Sequence, residues 1–297
     1  MKLDMKRPAG NLYSIYAMVL AVFMFALMDT VMKLLTERYP AIQVAALRSL
    51  TSLPLVAIYV GVRVGYRDIF KIRWPLHLMR AVLGIAMLTL FAFGIRNLSL
   101  AEAYTIFFVS PALITALSVW FLKERVGAAR WIAIAVGLGG VLVVLRPSGA
   151  GFLTIGGLAI LGAAAMYAIS AITVGILART DRSEHMVFWL MVMVAVGASA
   201  LAVPGWVALS TADLPLLAAL SLTGFIGQLA ITEAFARGQA SSIAPFEYTA
   251  LAWAVGLDWL LWQTLPDRYT MLGAAIIIGS GLYLLRHEKR HVEAEHP

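Results

Sequence analysis

The sequence predicts an all-α integral membrane protein with ten transmembrane helices, arranged as two inverted five-helix repeats. Composition, a series of long apolar segments and a similarity between the two halves support this fold class. Of the 297 residues, 61% are hydrophobic and 13% are charged, whereas a soluble domain carries about 25% charged residues. Because the mean hydropathy is +0.86, most of the protein surface is expected to face lipid.

Each predicted span is a run of about 20 mostly apolar residues, the length that a helix needs to cross a bilayer. Backbone groups inside lipid must be paired, and the runs lack the alternation of barrel strands, so helices are predicted. Pro40, Gly61, Pro147, Pro204 and Pro266 mark breaks between the runs. The predicted spans are residues 12–36, 41–61, 74–95, 101–122, 128–145, 155–177, 185–203, 214–236, 242–262 and 269–286.

The lysine and arginine positions predict the orientation, because these residues concentrate in cytoplasmic loops. With a cytoplasmic N-terminus, most of the 23 lysines and arginines fall on the cytoplasmic side. The opposite side then carries only Lys33, Arg38, Arg96, Arg146 and Arg268. The net charge of +7 therefore indicates topology and not nucleic-acid binding. Ten spans place both termini, with the charged tail 287–297, on the cytoplasmic side of the cell inner membrane.

The two halves align without gaps at an offset of 142 residues, which places Trp120 on Trp262. We therefore expect one five-helix unit over residues 1–147 and a second over residues 148–286. Since five is an odd number, the second unit enters the membrane inverted. Inverted repeats allow a transporter to alternate access to one site near the midplane. A duplication that serves only stability is the alternative.

Short motifs stand at corresponding places in the two halves. The first half contains Ala101-Glu102-Ala103, Ser110-Pro111 and Leu122-Lys123-Glu124-Arg125, and the second contains Ala244-Pro245-Phe246-Glu247-Tyr248. With these motifs the whole chain resembles the EamA family of the drug/metabolite transporter superfamily. The resemblance implies ten helices, a central cavity between the halves, and alternating access driven by a gradient or by exchange.

Two details of the motifs refine this resemblance. The glutamate of the family's Gly-Glu ending matches Glu124, but the second half has only Asp267 near that place. The segments 25–29 and 46–49 resemble the branch that contains riboflavin and S-adenosylmethionine transporters and some metallophore exporters.

Ionisable residues inside the spans are candidate site residues, because a charge in a membrane is costly unless it faces a cavity or a partner. Asp29 and Arg48 are expected at similar depth on consecutive helices. Arg48 either anchors a carboxylate or phosphate of the substrate, or forms a static ion pair with Asp29. Glu247, just after Pro245, is expected to bind a cation or to carry a coupling proton. The alternative for Glu247 is an acid that balances a helix dipole.

Uncharged side chains at mid-depth complete the candidate binding set. Tyr104, Tyr167, Tyr248 and Trp253 are expected to line a cavity and to stack on a ring or a cation. Packing alone is the alternative for each of them. Gln228 is either a ligand donor or a link between helices.

Other residues are expected to be structural. Glu233 and Arg237, spaced i and i+4, predict a surface ion pair. Arg80 is expected to extend toward the membrane surface, and Asp258 to hydrogen-bond between helices. Close helix packing is expected at Gly84, Gly137, Gly139, Gly224, Gly227, Gly279 and Gly281.

These features predict a secondary transporter of a small organic metabolite and not an enzyme. There is no Walker A pattern, no cysteine and no histidine spacing typical of a metal site, so no cofactor or metal is expected. Export of an amino acid or an amino-acid-derived metabolite, metallophores included, is the leading hypothesis. Uptake of riboflavin, or of a nucleoside-like cofactor such as S-adenosylmethionine, is the alternative.

Two hypotheses of another class remain at this point: a lipid-modifying membrane enzyme and a scaffold that transports nothing. The expected partners are the lipid bilayer, a small-molecule substrate and protons as coupling ions, without nucleic acid. The sequence leaves a homodimer open.

Overall fold

The structure, a computed structural model, describes residues 9–94, 106–145, 154–262 and 268–295. Within these ranges the chain is helical apart from short connections, and no β-strand occurs. The helices of eight residues or more are α1 Ala9–Thr36, α2 Ala41–Arg63, α3 Trp74–Gly94, α4 Ser110–Leu117, α5 Ala128–Leu145, α6 Ile155–Leu177, α7 Ser183–Ala202, α8 Leu214–Arg237, α9 Thr249–Trp262 and α10 Arg268–Glu295.

Five of the described helical segments are long and apolar enough to cross a membrane by themselves. These are Leu12–Met32, Ile42–Arg63, Ile155–Leu177, Ser183–Gly205 and Thr211–Arg237. Shorter apolar helices cover Trp74–Leu88, Ser110–Leu122, Ala128–Val143 and Met271–Leu284. An all-helical, multi-pass membrane protein is therefore confirmed, and the ten predicted spans fit the ten helices.

Three helices differ from the predicted spans. The fourth ends in a π-helical turn, Ser118–Leu122, followed by Lys123 in a left-handed conformation with φ 58°. The ninth is interrupted, because a short helix, Ala240–Ile243, and a 3₁₀ turn, Ala244–Tyr248, precede α9. Pro245 in that turn has no N–H to donate, which explains the interruption. The tenth continues to Glu295 and so includes most of the charged tail.

The helices run between two ends of the bundle. We call the end where α1 begins and α8 ends the near end, and the end where α1 ends and α8 begins the far end. Helix α1 packs along α8 and α3 packs along α6, while α2 packs on α7 and α5 on α10. Each of these pairs joins the first half of the chain to the second.

A buried aspartate joins two loops at the far end. The Asp213 carboxylate accepts hydrogen bonds from Arg38 Nη1 at 2.6 Å and from the Tyr39 hydroxyl at 2.7 Å. Nearby, the Gln43 side chain donates to the Val207 carbonyl at 2.7 Å and accepts from its N–H at 2.8 Å. These bonds fix the turn between α1 and α2 against the connection between α7 and α8.

A second buried aspartate joins two loops at the near end. Asp181 Oδ2 accepts from His77 Nε2 at 2.8 Å and from the Arg73 backbone N–H at 3.1 Å. Burial raises the pKa of Asp181, but hydrogen bonds from Thr180, Arg73 and His77 outweigh it and hold the pKa below the ordinary value. The loop before α3 is thereby fixed against the loop before α7.

Glycines allow close contact at some of the predicted positions. A Cβ on Gly137 would lie 2.5 Å from the Tyr248 ring, and a Cβ on Gly227 would lie 2.7 Å from the Phe25 ring. Gly139 and Gly279 have nothing within 4 Å of such a Cβ, so the packing prediction is wrong for these two. They lie on helix faces that meet no neighbour among the described residues.

Candidate functional site

Glu247 and Tyr167 meet in the interior of the bundle. The Tyr167 hydroxyl donates a hydrogen bond of 2.9 Å to Glu247 Oε1. Ser110, at the start of α4, is buried beside the same carboxylate. No lysine or arginine of the described ranges forms a salt bridge with Glu247. Within the described residues Glu247 is therefore bonded to the Tyr167 hydroxyl and not to a cation.

The interrupted ninth helix places Glu247 there. All residues from 240 to 248 are buried, although this segment includes two serines and a glutamate. Because Pro245 weakens the regular helix ladder, the segment turns locally while it remains enclosed. Irregular backbone at membrane depth is tolerated where protein encloses it or where it lines a cavity.

Tyr248, next to Glu247, is 1% exposed and packs against Gly137 of α5. Its ring also lies 6.0 Å from that of Phe108. Its hydroxyl finds no hydrogen-bond partner within the described residues. Such an unsatisfied buried group calls for an explanation, and a bound ligand is one.

Asp29 is exposed although it lies well inside α1. The exposed residue Leu20 is nine positions earlier, which corresponds to about 180° around the helix. Asp29 therefore lies on the opposite side of α1 from the exposed apolar residues near the start of that helix. A charged group on this inward side is expected to face water in the interior of the bundle.

Arg48 lies near Asp29 on α2. Its guanidinium carbon is 5.3 Å from the centre of the Phe25 ring, within the range of a cation–π contact. Arg48 and Asp29 interact electrostatically, but no direct salt bridge joins them in the described structure. Arg48 Nε has no hydrogen-bond partner there. This arrangement leaves the guanidinium available to an anionic group.

The remaining predicted site residues have different surroundings. Gln228 is buried and donates a long hydrogen bond of 3.4 Å to Thr232. Trp253 is 37% exposed and its ring centre lies 4.7 Å from that of Phe23 on α1. Tyr104 lies outside the described residues. The side chain of Asp258 is not described either, so its predicted role stays a prediction.

Two structural predictions are tested directly. Glu233 and Arg237 form the predicted i, i+4 ion pair. Arg80, in contrast, is 2% exposed and directs Nη1 toward the Met186 carbonyl at 3.4 Å. The prediction that it extends to the membrane surface is therefore wrong, because α7 encloses it.

Glu124 joins the two halves at the near end. Its carboxylate accepts from the backbone N–H of Ala240 at 2.8 Å and of Ser241 at 3.0 Å. It also accepts from the Ser241 hydroxyl at 2.6 Å. These bonds connect the loop after α4 to the segment that carries Glu247.

Arg130, at the start of α5, reinforces this junction. Its guanidinium donates to the Ser241 hydroxyl at 2.9 Å and to Gln239 Oε1 at 2.5 Å. We call Glu124, Arg130, Gln239, Ala240 and Ser241 the near-end latch. Its members were not among the sequence-predicted site residues, although Glu124 belongs to a family motif. Ser110, also in a family motif, was missed too.

A family model described as the EamA-like transporter family matches the chain twice, over residues 12–146 and 154–286. One solved crystal structure superposes with a TM-score of 0.80 at 18% identity, covering 96% of this chain and 99% of that chain. This structural likeness supports the fold alone.

Curated relatives cover nearly the whole chain. A riboflavin transporter of Rhizobium johnstonii is 31% identical, over 92% of this chain and 91% of its own length. A pseudopaline exporter of Pseudomonas aeruginosa is 26% identical, over 91% and 95%. An S-adenosylmethionine uptake transporter of Rickettsia conorii is 26% identical, over 90% of both chains. Given the two matches to the family model and the relatives of nearly full length, the chain belongs to the EamA-like transporter family.

Proposed function

We propose that this protein is a secondary transporter that moves a small organic metabolite across the cell inner membrane by alternating access. The observation that carries the proposal is the buried carboxylate of Glu247, hydrogen-bonded to Tyr167 at 2.9 Å beside an interrupted helix. A buried carboxylate is costly in a membrane and indicates a binding or relay site.

The helix pairing supports two inverted repeats, 1–147 and 148–286. In the two repeats α1 corresponds to α6 and α3 corresponds to α8. Exchanging corresponding helices therefore turns the α1–α8 pair into the α6–α3 pair, which is also observed. The same exchange maps the α2–α7 and α5–α10 pairs onto themselves. A two-fold axis in the membrane plane would produce this pattern.

Phe25 and Tyr167 support the same relationship, because the offset of 142 residues aligns them. Phe25 lies against the charged group of Arg48, and Tyr167 bonds to the carboxylate of Glu247. One aromatic ring in each half thus contacts one charged residue. The substrate would lie between these two arrangements, its anionic part at Arg48 and its cationic part at Glu247.

The near end is the cytoplasmic end in this proposal, as the lysine and arginine distribution predicts. The near-end latch then closes the cytoplasmic side, and its release opens the site inward. Asp29, exposed toward the far half of the bundle, belongs to the water-filled path that leads outward.

Protons are the proposed coupling ions. Without a cationic partner, the Glu247 carboxyl group is more stable in the membrane in its protonated, neutral form. The cation of a substrate, or contact with a water-filled path, stabilises the charged form. Exchange of a proton for a cationic substrate at this carboxylate would couple export to the proton gradient.

Our first candidate for the transport reaction is export of an amino acid or an amino-acid-derived metabolite, metallophores included. Uptake of riboflavin or of a nucleoside-like cofactor such as S-adenosylmethionine is the second candidate. The relatives that carry those names favour it, as do the aromatic rings of Trp253, Phe23 and Tyr167, on which a flat ring system could stack.

Flux into proteoliposomes tests the proposal. Amino acids, riboflavin and S-adenosylmethionine are offered with and without a pH gradient, to the wild type and to the Arg48→Ala and Glu247→Gln variants. Both variants are expected to lose about tenfold or more of the flux, the effect of one lost charged contact. Arg67→Gln, an exposed loop residue, is the control.

Several outcomes would contradict the proposal. If no compound moves in either condition, a scaffold or an enzyme becomes the better hypothesis. If flux occurs but both site variants behave like Arg67→Gln, transport stands and the site assignment is wrong. A flux that does not depend on the pH gradient would contradict proton coupling, but not transport itself.

A further inference from the structure

A groove of about 340 Å³ lies between helices at the near end, away from the proposed transport site. Helix α8 packs on both α1 and α2, whereas α1 and α2 have little contact with each other, so a gap remains between them. Tyr13 and Leu20 of α1 line the groove, and both lie on the side of α1 opposite to Asp29. Tyr13, Tyr16 and Leu20 are exposed apolar side chains, which is typical of a surface that faces lipid, so the groove opens on the outside of the bundle.

The groove changes from polar to apolar with depth. Arg63 ends α2 and Arg237 ends α8, so both lie at the level of the membrane surface. Leu20 and Leu229 line the deeper part. Seven residues separate Tyr13 from Leu20, about 10 Å along a helix. This gradient matches a molecule with a polar head and an apolar chain.

The charges at the rim are balanced: Arg63, Glu184, Glu233 and Arg237. Glu233 and Arg237 are paired with each other, and Arg237 also lies over the Tyr13 ring at 5.4 Å. Arg63 interacts most strongly with the Tyr59 hydroxyl, which also lines the groove, and more weakly with Glu184 and Glu233. No direct salt bridge joins Arg63 to either glutamate in the described residues. Because a guanidinium has five N–H donors, Arg63 is able to bind an anion in addition to Tyr59, so the rim offers a cation and an anion to a ligand that carries both charges.

We propose that this groove binds the headgroup of a zwitterionic phospholipid with a primary ammonium, phosphatidylethanolamine. Its phosphate accepts hydrogen bonds from Arg63, and its ammonium donates to Glu184. Charge-assisted hydrogen bonds of both kinds are strong and directional. The acyl chain follows Leu20 and Leu229 into the bilayer.

The balanced rim argues against an anionic lipid. Phosphatidylglycerol would gain the contact with Arg63 and leave Glu184 beside a negative ligand. The trimethylammonium group of phosphatidylcholine has no N–H to donate to Glu184. Preference for phosphatidylethanolamine over both lipids is therefore the signature of this site.

Native mass spectrometry of the detergent-purified full chain tests the proposal. Dioleoyl phosphatidylethanolamine, phosphatidylcholine and phosphatidylglycerol are added separately, and water-soluble phosphoethanolamine serves as the headgroup without a membrane anchor. We expect phosphatidylethanolamine to bind about tenfold more tightly than phosphatidylcholine, the effect of one lost charged hydrogen bond. Phosphoethanolamine alone is expected to bind far more weakly, since it lacks the apolar chain.

Two variants make the test specific. Glu184→Gln is expected to abolish the preference over phosphatidylcholine, and Arg63→Gln is expected to weaken binding of all three lipids. Arg67→Gln, on the exposed loop after α2, is the control and is expected to bind like the wild type. Equal binding of the three lipids, stronger binding of phosphatidylglycerol, or an unchanged preference in Glu184→Gln overturns the proposal.

Discussion

The hydroxyl of Tyr167 on α6 donates a 2.9 Å hydrogen bond to the carboxylate of Glu247, which lies 80 residues later in the chain. Both residues belong to the second five-helix unit that we propose. Ser110, from the first unit, lies beside the same carboxylate. A movement of one unit relative to the other therefore changes the surroundings of Glu247 directly.

Tyr167→Phe is expected to lower transport while it leaves the fold intact. The ring that packs near Phe107 is kept, but the donor to Glu247 is lost. One hydrogen bond contributes about 0.5–1.5 kcal/mol when Glu247 is protonated and about 1.5–3 kcal/mol when it is charged, so we expect the flux to fall by about twofold to tenfold or more. Flux in proteoliposomes measures this, with Tyr283→Phe at an exposed position of α10 as the control. Equal flux in both variants would contradict a role of the hydrogen bond.

Gly137→Ala is expected to destabilise the protein, whereas Gly139→Ala is not. The new methyl group at position 137 would lie 2.5 Å from the enclosed ring of Tyr248, while that at 139 meets nothing within 4 Å. Overpacking of this kind costs about 1–3 kcal/mol. Both substitutions are in α5, so helix propensity affects them equally. Thermal unfolding in detergent measures the difference, and equal melting temperatures would show that the ring does not restrict position 137.

Glu124→Gln is expected to open the near end. The amide of glutamine keeps the shape but weakens the charge-assisted hydrogen bonds to Ala240 and Ser241. Since the sequence contains no cysteine, Ser14→Cys provides a single thiol. Ser14 is fully buried and packs against Gly238, next to the latch.

Maleimide labelling of Ser14→Cys measures this opening. In the Glu124→Gln background we expect labelling to be about tenfold faster, because a charged hydrogen bond contributes about 1.5–3 kcal/mol. Glu37→Gln, at an exposed position of the far end, is the matched control. Unchanged labelling in Glu124→Gln would exclude the latch as the element that closes this end.

Asp181→Asn is expected to lower the melting temperature near neutral pH and to have less effect in acid. The pKa of Asp181 is lower in the folded protein than its ordinary value, which is about 3.9 in an unfolded chain. The charged carboxylate thus stabilises the fold above about pH 4, and this contribution is lost as the pH falls through the lower folded value. Melting temperatures from pH 7 down to pH 3 test this. A difference from the wild type that is constant over this range would contradict it.

The apolar runs predict most of the described helices within a few residues, because membrane spans require such runs, but the ninth helix is interrupted and the tenth continues to Glu295. The surroundings of a single side chain are predicted less well, because they depend on which helix packs beside it. Arg80 was expected at the surface and is enclosed by α7, and spacing alone does not reveal that Gly137 meets a ring while Gly139 does not. The inverted repeat stays a prediction that the helix pairing supports.

The candidate site was accessible to sequence reasoning only in part. Charge inside an apolar run makes Asp29, Arg48 and Glu247 candidates, because such charges are rare and costly, and their role stays a prediction. The bond between His77 and Asp181 and the contacts of Glu124 join residues more than 100 positions apart. No local pattern predicts contacts of this range, since they depend on which helices become neighbours.

The pairing of α1 with α8 also determines the order in which the protein is able to assemble. Helix α1 leaves the ribosome well before its partner, which follows roughly 200 residues later, about 10–40 s at ordinary rates of synthesis. During that interval Arg48 is in the membrane without Gly224 of α8, which lies against its side chain in the folded protein. Electrostatic attraction between Asp29 and Arg48 is then expected to offset part of the cost of two charges in lipid. We therefore expect the attraction between Asp29 and Arg48 to ease insertion of the unfinished chain.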